Sequence, residues 1–230
     1  MSIQLVVLAG GKGTRLGTIS EIVPKSLISV ANKPFIEYQL SLFRNWDVHS
    51  IHFCLGYLGE KVIEFLEMSK FGIKTSFSLD GESLRGTGGA LIHAWDQINE
   101  EFAVIYGDSY LPLNFSDALV DFRSSKESLM CVTSSPYLDC PNNVNVEEGF
   151  VTEYSKTDSP NELHLIDYGL IFFHKEQLSK FRHEEKLDLS EILKSLVENK
   201  LLRGRVLEDR FYEVGTRDGI RRLEKFLSIM

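Results

Sequence analysis

Gly10-Gly11-Lys12-Gly13-Thr14-Arg15-Leu16, with Pro24-Lys25-Ser26-Leu27 shortly after it, is the stretch of sequence that decides the fold. It follows the apolar run Leu5-Val6-Val7-Leu8, which predicts a loop at the carboxyl end of a buried strand. Glycine lets the backbone approach an anion closely, and consecutive N–H groups can point at it. Because Arg15 and Lys25 add cationic partners, the stretch predicts a phosphate-binding loop.

Two familiar phosphate-binding motifs do not match this loop. A P-loop requires G-x-x-x-x-G-K-[ST], whereas Lys12 lies between glycines and no Lys-Ser or Lys-Thr pair directly follows the last glycine. The dinucleotide fingerprint G-x-G-x-x-G fits Gly11 and Gly13 but has Leu16 in place of its third glycine. The loop is therefore either a plain glycine turn with incidental basic residues or a phosphate loop of another type.

The stretch resembles the signature of the sugar-1-phosphate nucleotidyltransferases, in which G-G-x-G-T-R-L is followed by P-K-x-L. Further motifs of that family occur in order from Leu8 to the last helix. The resemblance implies the nucleotide-diphospho-sugar transferase fold and Mg²⁺-dependent transfer of a nucleotidyl group from a nucleoside triphosphate to a sugar 1-phosphate. It is closest to short bacterial members that activate heptose, hexose or muramic acid 1-phosphates for surface polysaccharide or cell-wall precursors.

Length and charge limit the class of protein. The 230 residues suit a single α/β domain, in which we expect a nucleotide-binding half (1–125), an acceptor-binding half (126–215) and a closing helix (216–230). The chain has 25 Lys and Arg against 33 Asp and Glu, a formal charge of −8. Such a charge disfavours nucleic acid and anionic membranes as partners. A substrate anion must therefore meet local cations.

The expected location is the cytoplasm. No apolar stretch has the length of a membrane span, and the N-terminus lacks the basic and apolar regions of a signal peptide. The three cysteines, Cys54, Cys131 and Cys140, match no metal-ligand spacing. An odd number of cysteines in largely apolar runs is typical of reduced core residues. The aromatic content allows a homo-oligomer contact, but no segment indicates where it would lie.

Strand and helix signals alternate along the chain. Apolar runs with the length of strands occupy 4–8, 49–55, 74–79 and 102–106, then 128–134, 144–147, 150–155 and 165–173. Helical patterns begin near Pro34, cover 59–68 and 88–97, and return after a capping box at Asp188-x-x-Glu191 and from about Asp218. The alternation predicts a Rossmann-like, mixed, mainly parallel sheet with helices on both faces and a small β-rich sugar-binding portion.

A second glycine-rich stretch, Asp80 to Ala90, follows a predicted strand and opens a helix. From the residues alone it is either a generous turn or a place where a flat or charged ligand comes close. The resemblance implies contact with the base and sugar of the nucleotide. Arg85 stands where the family usually has Leu, a change that is either harmless or brings a cation to a phosphate.

Two acidic residues are candidate metal ligands. Asp108 ends the predicted strand 102–106 and either anchors Mg²⁺, which needs few protein ligands, or caps the next turn. The resemblance implies the metal role, because the family has a Gly-Asp pair here. Phe211 to Thr216 resembles the late D-x-G-T motif of the family, with Glu213 in place of the Asp ligand. The longer side chain puts the metal geometry in doubt.

The acceptor side carries weaker signals. Tyr154-Ser155-Lys156 resembles the F-x-E-K segment of the family, but Ser155 replaces its Glu. The resemblance implies that Lys156 holds the phosphate of the sugar phosphate; an exposed strand-end lysine is the alternative. Asp167 lies where relatives carry a polar-x-Gly strand, so we expect it to accept from a sugar hydroxyl. Asn143 either serves the same pocket or begins a turn.

The complete prediction assigns a role to each candidate. Arg15 and Lys25 are predicted to be catalytic, and Asp108 and Glu213 to hold Mg²⁺. Predicted nucleotide-binding residues are Leu8, Ala9, Gly10, Gly11, Gly13, Thr14, Gly81, Glu82, Thr87, Gly88, Gly89 and Asp108. Predicted substrate-binding residues are Tyr106, Gly107, Asn143, Lys156, Asp167 and Gly169. Two alternatives stay open: a nucleotidyltransferase with a non-sugar phosphorylated acceptor, and a non-catalytic regulator that binds a nucleotide-sugar. The base and the sugar are not specified.

Overall fold

The computed structural model describes residues 2–17, 19–69, 71–81, 83–134, 140–156 and 163–229. Its strands are β1 (Ile3–Ala9), β2 (Ser29–Val30), β3 (Lys33–Pro34), β4 (Val48–Leu55), β5 (Lys74–Leu79), β6 (Glu101–Tyr106), β7 (Ser109–Tyr110), β8 (Ser128–Thr133), β9 (Val144–Glu147), β10 (Phe150–Tyr154), β11 (Ile166–His174), β12 (Leu202–Leu207) and β13 (Tyr212–Glu213). Its α-helices are α1 (Ile19–Ile22), α2 (Phe35–Phe43), α3 (Gly59–Met68), α4 (Gly86–His93), α5 (Phe115–Arg123), α6 (Leu189–Glu198) and α7 (Arg217–Leu227). Short 3₁₀ helices cover Thr14–Leu16, Lys25–Leu27, Trp95–Gln97 and Lys175–Phe181.

A nine-stranded sheet takes strands from both halves of the chain, in the order β5-β4-β1-β6-β11-β8-β12-β10-β9. Strands β5, β4, β1 and β6 are mutually parallel, as are β8 and β12. Strand β11 runs antiparallel to β6 and β8, and β10 runs antiparallel to β12 and β9. Seven of the nine strands therefore point the same way, which confirms the predicted mixed, mainly parallel sheet.

Helices cover both faces of this sheet. Successive side chains of a strand point to opposite faces, so every side chain of a central strand can be buried. On β1, Leu5 and Val7 are buried against α2, α3 and α5, whereas Val6 and Leu8 are buried against α4 and α6. A separate apolar cluster joins α7 to the two-stranded ladder of β7 and β13. This ladder lies beyond the end of β6 and holds part of the site described below.

Several local predictions are confirmed. Glu148 and Gly149 have φ of 51° and 81° between β9 and β10, as expected of a tight hairpin turn. Asp188 and Glu191 form the predicted capping box of α6.

The predicted helix over 88–97 is wrong in its bounds: α4 ends at His93, and Trp95–Gln97 forms a 3₁₀ turn. Pro34 precedes α2 as its N-cap instead of lying in its first turn.

Candidate active site

A cavity of about 370 Å³ opens beside the carboxyl ends of β1, β4, β5 and β6. Open α/β sheets bind their ligands at this edge, because the loops that leave the strands diverge there. The cavity is lined by Leu8, Ala9, Gly10, Gly11, Arg15, Lys25, Ser26, Cys54, Asp80, Leu84, Gly86, Thr87, Ala90, Tyr106, Gly107, Asp108 and Lys156.

The first glycine-rich loop depends on Gly13 for its shape. Gly13 has φ of 68°, and its C=O accepts a 2.9 Å hydrogen bond from the Leu16 N–H as the 3₁₀ helix begins. A Cβ on Gly13 would lie 2.9 Å from Lys25 Cγ, closer than packing allows. Gly13 thus permits both the left-handed turn and the passage of the Lys25 side chain over the loop. Arg15 is exposed at the same edge.

Three charged groups converge at the end of β6. Lys25 Nζ lies 2.7 Å from Asp108 Oδ2, and both side chains are mostly buried, with 19% and 24% of their surface exposed. A Cβ built on Gly215 would lie 3.7 Å from Asp108 Oδ2, 3.8 Å from Glu213 Oε2 and 3.8 Å from Lys25 Nζ. Two carboxylates and one ammonium group therefore surround the Gly215 backbone.

Hydrogen bonds to the backbone around Asp108 hold this cluster together. Strands β7 and β13 pair Ser109 with Glu213, and the Val214 N–H donates to the Asp108 C=O at 2.9 Å. The buried amide of Gln39, on α2, donates from Nε2 to the Ser109 C=O at 2.8 Å and to the Tyr106 C=O at 3.3 Å. The loop that carries Asp108 is thus fixed from two sides.

The Asp108 and Glu213 carboxylates fit Mg²⁺. This ion keeps several waters and is usually held by one or two carboxylates together with substrate phosphates. In the ranges that the structure describes, no three His, Cys, Asp or Glu side chains group into a closed metal cage. A metal held here would therefore have open positions for water and phosphate oxygens.

Lys156 lies at the opposite side of the cavity, after β10. Its Nζ is 2.5 Å from Asp188 Oδ2, with 52% and 37% of the two side chains exposed. Asp188 is also the N-cap of α6, where Oδ1 accepts from the Ser190 N–H at 2.9 Å. Burial raises the pKa of Asp188, but the hydrogen bonds from Lys156 and Ser190 outweigh burial and leave the pKa below its usual value.

Asn143, Asp167 and Gly169 form a connected set in the acceptor half. Asn143 Oδ1 accepts from the Asp167 N–H, and Asp167 Oδ1 accepts from the Gly169 N–H, both at 2.8 Å. The register of β11 shifts between Asp167 and Ile171, and Gly169 has φ of 86°. This bulge re-aims the Asp167 carboxylate. Burial raises the pKa of Asp167 to about 6, and the Gly169 N–H opposes that rise.

Tyr106 connects the two sides of the cavity. It ends β6 and lies 3.3 Å from the position of a Cβ on Gly169. Burial raises the pKa of Tyr106 well above its usual value, and the charges of Asp167, Asp188 and Asp108 raise it further. Carboxylates from the phosphate side and the acceptor side therefore both lie near this ring.

The sequence as a whole matches a known family. The profile of the nucleotidyl transferase family covers residues 4–228, nearly the entire chain. The chain belongs to this family. It is therefore a nucleotidyltransferase, as the resemblance of the glycine loop implied, and its cavity lies at the sheet edge where the phosphate loop was predicted.

Similar proteins support the assignment of this chain to the nucleotidyl transferase family. The chain is 26% identical over 214 residues to D-glycero-alpha-D-manno-heptose 1-phosphate guanylyltransferase of Campylobacter jejuni, and the match covers 92% of this chain and 94% of that one. It is 30% identical over 222 residues to the bifunctional protein GlmU of Methanococcus maripaludis; the match covers 91% of this chain but only 51% of that protein, about half its length. HddC from Yersinia pseudotuberculosis shares the fold, with a TM-score of 0.82, 22% identity, and coverage of 98% and 99% of the two chains.

The cavity of this nucleotidyl transferase brings together many of the residues predicted for its site. They are Leu8, Ala9, Gly10, Gly11, Arg15, Lys25, Thr87, Tyr106, Gly107, Asp108 and Lys156. Other predicted residues lie beside it: Glu213 next to Gly215, Gly13 under Lys25, and the Asn143, Asp167 and Gly169 set next to Tyr106. Thr14 begins the 3₁₀ helix, and Gly81 follows β5 with φ of 82°. Glu82 lies outside the described residues.

The second glycine-rich stretch of the nucleotidyl transferase packs largely against protein. A Cβ on Gly88 would lie 3.0 Å from the Asp188 C=O oxygen, and one on Gly89 would lie 3.0 Å from the Glu185 C=O oxygen. The Thr87 hydroxyl accepts from the Leu189 N–H at 2.9 Å. These contacts connect α4 to the start of α6, and the predicted nucleotide contacts of Gly88 and Gly89 stay predictions.

Arg85 does not lie in the cavity. It lines a separate surface groove together with Gly89, His93, Trp95 and Arg182, and its C=O accepts a 2.9 Å hydrogen bond from the Leu187 N–H. The substitution of Leu by Arg at this position therefore brings no cation among the residues that line the main cavity.

Among the residues at or near the cavity that the predicted site left out are Gln39, Asp80 and Asp188. Gln39 carries a recognisable signal, because it is a polar residue four positions after the buried Phe35 on the apolar face of a helix. Asp80 also carries one, since it follows a strand at the ligand-binding edge. Asp188 was assigned a capping role only; its pairing with Lys156 depends on how α6 packs against β10, which no local pattern reveals.

Among the helices of the described residues, none combines the length and the apolar character needed to cross a membrane. Cys54 and Cys131 are buried, and none of the three cysteines, all of which lie in the described residues, forms a disulfide.

Proposed function

We propose that this nucleotidyltransferase couples a nucleoside triphosphate to a sugar 1-phosphate and releases pyrophosphate. An oxygen of the sugar phosphate attacks the α-phosphorus, and the bond from the α-phosphorus to the bridging oxygen of the β-phosphate breaks. The products are a nucleoside diphosphate sugar and pyrophosphate. A phosphate monoester has a second pKa near 6, so the nucleophile is largely ionised at neutral pH and needs no general base.

One observation carries the proposal: a single cavity is lined by Lys25, Asp108 and Lys156, a cation and a carboxylate on one side and a second cation on the other. Two polyanions repel each other in water, and a chain of net charge −8 would repel them further. Local cations inside a cavity reverse this repulsion, and they hold the two substrates in line for displacement.

At the phosphate end, the glycine-loop amides and Arg15 bind the β- and γ-phosphates, and Lys25 turns its ammonium group to the α-phosphate. Asp108, the present partner of Lys25, and Glu213 would hold a metal ion. Bound Mg²⁺ supplies charge neutralisation at the α-phosphate and the sugar phosphate. The side chain of Glu213 is one methylene longer than the Asp of the family motif. Its carboxylate nevertheless lies in the same cluster, because Oε2 is 3.8 Å from the position of a Cβ on Gly215.

At the acceptor end, Lys156 binds the sugar phosphate and Asp167 accepts hydrogen bonds from sugar hydroxyls. Asn143 and Gly169 hold the Asp167 carboxylate through 2.8 Å hydrogen bonds. Tyr106 and Gly107 form the floor between the two phosphates. The heptose 1-phosphate specificity in the name of the Campylobacter relative makes heptose 1-phosphates the first acceptors to test.

We further infer that residues 1–125 and 126–215 act as nucleotide and acceptor halves of one unit closed by residues 216–230. The sheet that crosses both halves supports their acting as one unit. Nucleoside triphosphates are abundant in the cytoplasm, which makes that compartment the proposed location of the reaction.

The test is pyrophosphate release by the purified protein with Mg²⁺. Each of four nucleoside triphosphates is combined with a panel of sugar 1-phosphates that includes heptose 1-phosphate, and products are identified by mass spectrometry. We expect release only when both substrates and Mg²⁺ are present, and its loss with excess chelator. Release with phosphorylated amino alcohols alone would contradict the sugar acceptor. Failure to bind any triphosphate would contradict the phosphate loop.

A further inference from the structure

Gln39 is a buried polar side chain that the proposed reaction leaves without a role. It lies on α2, four residues after Phe35, and only 1% of its surface is exposed. Phe35 packs in the apolar cluster that joins α7 to β7 and β13. Because residues four apart lie on the same face of a helix, this face of α2 is turned towards the loop that carries Asp108. Gln39 thus places an amide where α2 meets that loop.

The amide of Gln39 spans the turn around Asp108. Its Nε2 donates to the Ser109 C=O at 2.8 Å and to the Tyr106 C=O at 3.3 Å. Gly107 and Asp108 lie between these two carbonyl groups in the sequence. A glutamine amide has two donor hydrogens, one for each carbonyl. A reversed amide would turn its oxygen to two carbonyl oxygens and be repelled, so the donor end must face the loop.

The other end of the same amide has no protein partner. Gln39 Oε1 is buried and accepts no hydrogen bond from the residues that the structure describes. A buried acceptor without a partner is destabilising. An apolar side chain of the same length would avoid this penalty, so Gln39 is poorly explained as a residue that stabilises the fold. The contribution of its amide is the pair of hydrogen bonds to the loop.

Two further contacts hold this loop through its backbone. The Gly107 N–H donates to the Leu8 C=O at 2.9 Å, and the Val214 N–H donates to the Asp108 C=O at 2.9 Å. These contacts do not involve Gln39, so the loop should stay folded when its amide is lost. The Asp108 carboxylate would then be held less narrowly.

Asp108 is one of the two proposed metal ligands, and such ligands depend on the groups that orient them. Loss of an orienting group typically costs about 10- to 100-fold in metal affinity. We propose that Gln39 is a positioning residue that fixes Asp108 for binding of a divalent metal, at some loss of stability. The inference rests on the proposed function, because it needs the metal site of Asp108 and Glu213. It gives Gln39 no contact with either substrate.

Gln39→Met tests this role, because methionine fills similar space without an amide, and Gln4→Met is the matched control. Gln4 is 5% exposed, donates from Nε2 to the Gln97 C=O at 2.9 Å and accepts from the Asn99 N–H at 2.7 Å. It lies at the start of β1, whereas the cavity lies at the other end of this strand. Both variants therefore lose a buried amide with two hydrogen bonds, but only Gln39 contacts the loop.

The first measurement is Mn²⁺ binding without substrates, followed by electron paramagnetic resonance of the free ion, since carboxylates and water suit Mn²⁺ as they suit Mg²⁺. We expect the Kd of Gln39→Met for Mn²⁺ to rise by about 10-fold. The Kd of Gln4→Met should stay within about twofold of the natural value, because its amide orients no metal ligand.

The second measurement is pyrophosphate release at increasing Mg²⁺. In Gln39→Met the Mg²⁺ concentration for half activity should rise by the same factor as the Kd for Mn²⁺. The kcat at saturating Mg²⁺ should stay within about threefold, because the occupied site again holds both carboxylates. Urea unfolding should show Gln39→Met to be no less stable than Gln4→Met, since Gln4 uses both ends of its amide.

Gln39→Asn keeps the amide on a side chain one methylene shorter, so it should also weaken Mn²⁺ binding. Unchanged Mn²⁺ binding in folded Gln39→Met or Gln39→Asn would overturn the positioning role, and so would equal weakening in Gln4→Met. The proposed function would then still stand if the natural chain binds Mn²⁺ and releases pyrophosphate. Absence of Mn²⁺ binding by the natural chain would overturn the metal site and this inference together. Absence of pyrophosphate release as well would overturn the proposed function, so the failures are distinguishable.

Discussion

The two ends of the active-site cavity are built in different ways. At the phosphate end, Lys25 in a 3₁₀ helix pairs with Asp108 after β6, 83 residues further along the chain, and the paired side chains are about four-fifths buried. At the acceptor end, Lys156 pairs with Asp188 from another part of the chain, and about half of the lysine is exposed. Both pairs join distant parts of the chain, so the two ends differ chiefly in how deeply their charged groups are buried. Substitutions at the first should therefore cost more activity.

The largest effect is expected from Asp108→Asn. Loss of the carboxylate removes the proposed metal ligand and the partner of Lys25, so kcat/KM should fall by about 100- to 1000-fold, the order observed for one electrostatic group of a transition state. Steady-state pyrophosphate release measures this change. Asp218→Asn is the matched control, because Asp218 lies in an exposed ion pair with Arg221 on α7. Full activity of Asp108→Asn would show that the phosphate end does not depend on this carboxylate.

Lys156→Ala should produce a smaller change with a different signature. Removing one charge-assisted contact to the sugar phosphate should raise the KM of the acceptor by about 10- to 100-fold. The KM of the triphosphate should stay within about twofold, since Lys25 and Arg15 are unchanged. Exposed Lys126 offers the control variant Lys126→Ala. Equal increases in both KM values would mean that Lys156 also contacts the nucleotide, and that the two ends are not separate.

The sequence predicted features whose signal and structure lie close together along the chain, at both ends of the cavity. The strand-and-helix alternation predicted the sheet, and the motifs at strand ends predicted Lys25 and Asp108, because each signal and its structure lie within a few residues. Neither ion pair was predicted, since one joins the 3₁₀ helix at Lys25 to the end of β6 and the other joins α6 to the end of β10. The packing of Gly88 and Gly89 against residues 185–188 was not predicted, because only the tertiary structure brings that segment to α4; their nucleotide contacts stay predictions.

Two titratable side chains, His52 on β4 and Asp167 on β11, should change stability with pH in opposite directions. Burial lowers the pKa of His52, between Ser76 and Ser78 on β5, to about 4, whereas burial raises the pKa of Asp167 to about 6. Between pH 4 and 6.5 the unfolded chain binds more protons at His52, so this histidine makes stability rise with pH. Between pH 3.8 and 6 the folded chain binds more protons at Asp167, so this carboxyl makes stability fall as pH rises.

Single variants separate these opposing contributions. Asp167→Asn should make the unfolding free energy rise more steeply with pH between 4 and 6, and His52→Gln should make it rise less steeply. Each change is at most about 1.4 kcal/mol per pH unit, the limit for one proton. Urea unfolding at pH 4, 5, 6 and 7 measures the slopes. Slopes that move in the same direction in both variants would contradict the opposite environments of the two residues.

The smallest effect concerns the double role of Asp188, which caps α6 and pairs with Lys156. Asp188→Asn keeps an oxygen for the Ser190 N–H and removes the charge, so its unfolding free energy should stay within about 0.5 kcal/mol, because exposed ion pairs contribute little. Asp188→Ala also removes the cap and should lose about 1 kcal/mol. Urea unfolding compares both variants with Glu153→Ala, an exposed change on β10. A loss of unfolding free energy in Asp188→Asn as large as that in Asp188→Ala would contradict this expectation. The exposed ion pair with Lys156 would then stabilise the acceptor end more than expected, and the two ends would differ less in stability than the deeper burial of Lys25 and Asp108 suggests.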